Sequence, residues 1–391
     1  MSHTLPTASW IRCRSRAASW TTAAILSLCA LVARGQEDGF RPLFNGKDLS
    51  GWVLVNTPAD TWSVKDGMLI CTGKPIGELR TEVMYQNFEL ELEWRHMVPR
   101  GNAGVFIWAD DITARGVPFH RGIEVQVLEN AYGNTRSHTT HGDIFPIHGA
   151  TMTPVNGRGG SRAFPTENRS KPSPEWNHYR VVCQDGEISL AVNGKVVTQG
   201  KDARPRKGYI CLESEGGVVH YRNLRIKELP DTELADADVA IANRGYRSIY
   251  SGLDLRGWQA SGGGQWHARD WVLAHVPGEQ PGVLQLSEAI REDAGLLLDV
   301  RFPAQTEQAG QLSVRLGDKE LFRLAAKDAD KGWSRIEATV RSGAIEVTIN
   351  GKPHAASNAS IQLDPQGSPL QVEAEGAVEL ANIYLRKLQK P

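Results

Sequence analysis

Five blocks of this chain occur twice, in the same order. FNGKDLSGW (Phe44 to Trp52) returns as YSGLDLRGW (Tyr250 to Trp258), and WSVKDGMLI from Trp62 returns as WHARDWVLA from Trp266. FELELEWR, ending at Arg95, matches AGLLLDVR, ending at Arg301. EWNHYRVVCQDGEISLAVNGK (Glu175 to Lys195) matches GWSRIEATVRSGAIEVTINGK (Gly332 to Lys352). VVHYRNLRIKEL, ending at Leu229, matches AVELANIYLRKL, ending at Leu388. A period of roughly 200 residues is too long for a solenoid, whose repeats run about 20–50. The chain is therefore expected to hold two copies of one domain: 38–229 and 246–388, joined by a polar, acidic linker over 230–245.

The copies differ in length. Phe44 to Asn193 spans 149 positions, and Tyr250 to Asn350 spans 100. The missing stretch of roughly 50 residues lies between the Arg95/Arg301 and Trp176/Trp333 blocks. Long irregular loops on a compact scaffold usually carry function. Any site is thus expected in the first copy.

Strand patterns dominate. Phe88 to Arg95 alternates apolar with charged residues, a period of two. Asp185-Gly186 and Asn193-Gly194 are tight hairpin dipeptides, and SGAIEVTINGKPH repeats the pattern from Ser342. About a dozen short strands in roughly 190 residues predict an all-β fold, a two-sheet antiparallel sandwich of jelly-roll type in each copy. Long amphipathic helices between strands are absent, which excludes parallel α/β. One sheet of such a sandwich often curves, and alternate polar residues would line its concave outer face.

Residues 1–35 read as an export signal. Arg12, Arg14 and Arg16 precede an apolar stretch (TTAAILSLCALV), and Ala33-Arg34-Gly35 offers small residues before a cleavage point at Gln36. Loss of that segment leaves 40 basic and 45 acidic residues, a net charge of −5. A mildly acidic chain lacks the basic surface that nucleic-acid binding needs. No later apolar run approaches the ~20 residues of a membrane span. Cys71, Cys183 and Cys211 remain after export; all lie in apolar, strand-like runs and read as buried free thiols.

The motifs FNGKDLSGW, NFELELEWR, NAGVFI, GIEVQVLEN, KPSPEWN, LAVNGK and HYRNLRIKEL resemble the 3-keto-disaccharide hydrolase domain family, formerly domain of unknown function 1080. The resemblance covers almost all of residues 40–229, and the second copy resembles the same domain weakly. It implies two tandem concanavalin-like jelly-roll sandwiches, the second truncated and degenerate. It also implies a periplasmic or secreted bacterial enzyme that cleaves glycosides already oxidised to a ketone at C3.

Glu124 and Gln126 stand two apart on GIEVQVL, so both leave one face of one strand. Buried, they would need partners; their alternative is a solvated outer face. With the resemblance, Glu124 is the expected base or metal ligand and Gln126 a sugar or metal ligand. Arg95 is the candidate electrophile at the C3 oxygen, or else a salt-bridge partner of Glu89, Glu91 and Glu93. Asn102 begins the next strand, and Glu129, where the family commonly has Asp, keeps a carboxylate with a different reach. His141 is the candidate general acid of a His-rich insertion (His120, His138, His141, His148, with Asp143). Trp108 would stack on a sugar ring or sit in the core. Trp176 reads as core and Asn177 as a turn former. His220 and Arg222 alternate on the last strand and are lost in the second copy, as expected of substrate-binding residues or of drift on an exposed face; Asn102 and Glu129 are further substrate-binding candidates.

A C3 ketone acidifies the C2 hydrogen and makes the C1 oxygen a β-leaving group. Elimination followed by hydration then gives net hydrolysis, with a base, an electrophile and often a divalent cation (Ca, Mg or Mn for oxygen ligands). No organic cofactor is implied, and the partner is an oxidised saccharide. The rival readings are a non-catalytic, lectin-like carbohydrate-binding protein and an envelope scaffold, because a fold does not fix a function.

Overall fold

The structure is a computed structural model and describes residues 1, 39–139, 141–303, 310–354 and 360–388. The export segment read at 1–35 lies, Met1 aside, outside the described residues. Pro42–Pro391 forms one compact unit.

The fold is all-β and built of two jelly-roll sandwiches. In the first, a nine-stranded sheet packs on a six-stranded one. The six-stranded sheet runs Trp52–Val55, Gly77–Thr81, Tyr209–Ser214, Asn102–Ala109, Gly122–Leu128, Ile144–Ile147. Alternation sends Phe88, Leu90, Leu92 and Trp94 inward from one sheet, and Val105, Ile123, Val125, Val127 and Leu212 inward from the other. Each such side chain, fully buried, contributes about 1.5–3 kcal/mol. The hairpin dipeptides adopt the left-handed backbone their turns require: Asp185 and Gly186 at φ 51 and 84, Asn193 and Gly194 at φ 48 and 87.

The second sandwich repeats the order with an eight- and a five-stranded sheet. Ala294–Arg301 lies between Ser334–Arg341 and Val378–Lys387, as Phe88–His96 lies between Asn177–Gln184 and Val219–Glu228. The copies part in two places: most of the extra length lies in 129–176, against 326–333 in the second copy, and the rest in one earlier loop. Gln311–Leu316 turns directly into Lys319–Ala325, whereas Asn102–Ala109 reaches Gly122–Leu128 only through the loop 110–121.

The segment read as a linker is strapped along the first sandwich. Arg206 N donates to Asp238 O at 2.7 Å, and Ala240 N to Lys207 O at 2.7 Å. Cys71, Cys183 and Cys211 are free and buried. Burial pushes the Cys71 thiol up to about 11, which leaves it unreactive.

Candidate active site on the outer face of the six-stranded sheet

The inward alternation of this sheet fixes what it shows outward. Glu78 and Arg80, Cys211 and Glu213, Asn102 and Gly104, and Glu124 and Gln126 share one face. All but Asn102 are buried. Gly104 is the centre of the arrangement. A Cβ there would lie 3.0 Å from Glu124 Oε1 and 3.1 Å from Glu213 Oε2. The missing side chain lets two carboxyls from flanking strands converge over the backbone between them.

Glu215, half-buried, completes the acidic group. Burial and the neighbouring Glu215 push the Glu124 carboxyl up to about 8, and the Arg162 guanidinium pulls against them. Burial, then Glu124 and Glu215, push Glu213 well above the usual carboxylate range. Burial raises Glu215 to about 7, opposed by a hydrogen bond from Asn102 Nδ2. Carboxyls that crowd one dry face hold their protons into the neutral range.

A polar chain binds the rim. Gln126 Nε2 donates to Asn102 Oδ1 at 3.1 Å, and Asn102 in turn to Glu215. Arg162, from the insertion, donates to Asp143 Oδ2 at 3.0 Å and to Gln126 Oε1 at 3.5 Å, and lies 3.4 Å over the Phe145 ring. A cation beside a cluster of carboxyls can stabilise a developing enolate.

Glu124, Gln126 and Asn102 are thus brought together as the sequence suggests. Arg95, His220 and Arg222 are not. Their strands belong to the nine-stranded sheet and alternation turns them to its outer side, across the sandwich. Arg95 lies 4.5 Å and Arg222 4.0 Å from the Trp176 ring, with Arg95 Nη2 3.4 Å from His220 Nδ1. Arg301 lies 4.6 Å over Trp333 in the second copy. The Arg–Trp pair is retained because it stacks on a sheet surface, and Trp176 is a half-buried surface residue rather than core.

Trp108 takes the core alternative. Its φ of 53 interrupts the strand alternation and turns the ring into the core, where Nε1 donates to Gln86 O at 2.8 Å. Glu129 accepts from the backbone of Arg100, Ala131 and Ser173 at 2.8, 2.7 and 3.1 Å. Burial pushes its carboxyl up, but the three donors outweigh it and the net shift is downward. It caps a loop. His141 is buried, with Nδ1 2.7 Å from Ser170 Oγ, and burial lowers it to about 4. Burial thus favours the neutral imidazole over the protonated form that a general acid near neutral pH needs. Asn177 bridges Lys171 and Asn193 and is a turn former, as read. His138 bonds within its own exposed loop.

The residues that sequence reasoning missed are Glu78, Glu213, Glu215 and Arg162. Glu213 follows Ile210 and Leu212 in YICLES, the same signal of a polar residue on an apolar strand that singled out Glu124. Arg162 lies in an irregular insertion whose path is set by tertiary contacts.

A cation at Glu124 and Gln126 fits poorly, since Gln126 Oε1 already faces the Arg162 guanidinium. Among the described residues, the His, Cys, Asp and Glu ligand atoms that converge, within 4.8 Å of one another, belong to Glu78, His120 and Cys211, all buried. Glu78 and His120 contact each other directly. A thiol–imidazole–carboxylate set suits zinc-like ions rather than Ca or Mg. It is a different donor set from the oxygen ligands expected.

Comparison with known proteins places these residues in context. A curated 3-keto-disaccharide hydrolase of Bacteroides thetaiotaomicron is 22% identical over 236 residues, covering 49% of this chain and 79% of that protein. A Parabacteroides distasonis protein of known structure, provisionally assigned as a glycosyl hydrolase, is 22% identical, covers 50% of this chain and 97% of its own, and gives a TM-score of 0.39. The β-glucanase of Bacillus licheniformis is 14% identical, covers 49% and 97%, and gives 0.33. No helix among the described residues is long and apolar enough to cross a membrane. Residues 39–227, which include every residue named above on the outer face of the six-stranded sheet, match the family described as the 3-keto-alpha-glucoside-1,2-lyase-like domain.

Proposed function

We propose that the chain is an exported enzyme that cleaves 3-keto-glycosides by elimination and hydration, with the outer face of the six-stranded sheet as its active site. The family match and the name of the Bacteroides relative support the substrate class. The observation that carries the reading is the convergence of Glu124 and Glu213 over Gly104, with Glu215 beside them.

The roles follow from protonation. Glu215, raised to about 7 and the most exposed of the three, is part-ionised at neutral pH and is the base that takes the C2 proton. Glu124, raised to about 8, is mostly protonated there and donates to the departing C1 oxygen. This reverses the role the sequence suggests for Glu124, because the crowded, buried carboxyl holds its proton. Arg162 faces the enolate oxygen. The C2–H bond breaks toward Glu215, the C1–O bond breaks toward Glu124, and water then adds across the double bond.

NMR of the full chain with a 3-keto-glucoside tests the proposal. Release of the aglycone supports it, and loss of release in Glu215→Gln supports the base. Saturable sugar binding without release would favour the lectin-like alternative.

A further inference from the structure

We infer that the second sandwich is a positioning element for this site, acting through the loop 110–121. The inference rests on the reading of the six-stranded outer face as the active site.

The loop is gripped by the outer face of the eight-stranded sheet. Asp299, wholly buried, accepts two bonds from Arg335, at 2.8 and 2.9 Å, and one from Gly116 N at 2.8 Å. Arg335 Nη2 also donates to Thr113 O at 2.9 Å. Asn382 Nδ2 lies 3.1 Å from Ala114 O, 3.0 Å from Val117 O and 2.7 Å from Asp299 Oδ2. The Tyr384 hydroxyl meets Thr113 Oγ1 at 2.8 Å. Gly116 has φ +73, and any side chain there would run into the Trp333 ring. Carbonyls that would otherwise face water are thus satisfied by the second copy, and a fully satisfied buried polar network rigidifies what it holds.

What the loop holds is the site. His120 closes it, bridged to Thr113, and contacts Glu78 through both its ring and its N–H. Glu78 is the cross-strand partner of Glu213. Two residues beyond His120 begins the strand that carries Glu124 and Gln126.

The internal repeat shows that this grip is particular to the second copy. Asp299, Arg335, Asn382 and Tyr384 correspond to Glu93, His178, Asn223 and Arg225. Those four line an open cavity of about 720 Å³ on the first sandwich. Asn223 and Asn382 share the left-handed backbone, at φ 51 and 50. The same place is a groove in one copy and is filled by the loop in the other.

Asn382→Gly keeps the left-handed backbone and removes the carboxamide; Tyr384→Phe removes one hydroxyl, and serves if the first variant does not fold. Hydrogen exchange of the full chain is followed at 110–119, at 120–126 and, as a control, at 177–184, beside the pH profile of turnover of a 3-keto-glucoside. The expected result is exchange faster by roughly tenfold at 110–119 and also faster at 120–126, with 177–184 unchanged. Lower kcat at similar KM and a displaced pH limb accompany it. Faster exchange at 110–119 with none at 120–126 overturns the inference, as does a wild-type kcat and pH profile in a variant with a loosened loop. If the wild-type chain itself turns nothing over, the functional reading fails, and exchange at 120–126 still decides the inference.

Discussion

Glu124 and Glu213 meet above Gly104, and the absence of a side chain at 104 is what lets them meet. Two carboxyls on separate strands of one sheet would normally be held apart by the residue between them. Here that residue is glycine, and the acids are buried together. In the second copy Ser313 stands at the matching position, and its hydroxyl bonds to Glu320 at 3.0 Å.

Gly104→Ala separates geometry from stability. The added methyl presses on flexible carboxylate ends at 3.0–3.1 Å, and the backbone there is ordinary strand. Turnover is expected to fall roughly tenfold or more, while Tm moves by only about 4 °C or less. Steady-state kinetics beside a thermal melt checks this, and equal losses in both would point to unfolding alone.

The acidic group makes stability depend on pH. An acid whose folded pKa is raised binds more protons folded than unfolded between the two values, so stability falls as pH rises through that window. For Glu124 the window runs from 4.5 to about 8. Urea midpoints are expected to drop between pH 5 and pH 8.5 by the equivalent of about 1–3 kcal/mol. Glu124→Gln should flatten the drop, and a midpoint rising with pH would contradict the assignment.

Arg162 opposes the rise in Glu124. Arg162→Ala should push the Glu124 carboxyl further up and move the basic limb of the rate profile to higher pH by about one unit. An unmoved limb would remove Arg162 from the site.

Arg95 provides the contrast. It stacks on Trp176 across the sandwich from the acids. Arg95→Ala is expected to leave kcat within about twofold of wild type. A loss on the order of 100-fold, the scale of a missing catalytic group, would move the site to the other sheet.

The repeat made the architecture legible, because four of its blocks fall on strands that recur in the same sheet order and the first leads into one. The GIEVQVL alternation made Glu124 and Gln126 legible as outward neighbours. Alternation does not say which sheet a strand joins, so Arg95 on FELELEWR carried the same signal while lying on the opposite side. Trp108 escaped the pattern because a left-handed residue reverses the side its ring takes. The hold of the second sandwich on the loop 110–121 depends on backbone carbonyls, which no side-chain pattern reveals.

The most direct test of the central claim is the initial rate of aglycone release from a 3-keto-glucoside as a function of pH. It is measured for wild type, Glu124→Gln and Glu215→Gln. The account predicts a bell with limbs near 7 and 8, the lower limb lost in Glu215→Gln and the upper in Glu124→Gln, each variant slowed by roughly 100-fold or more. Wild-type rates and limbs in both variants would contradict it.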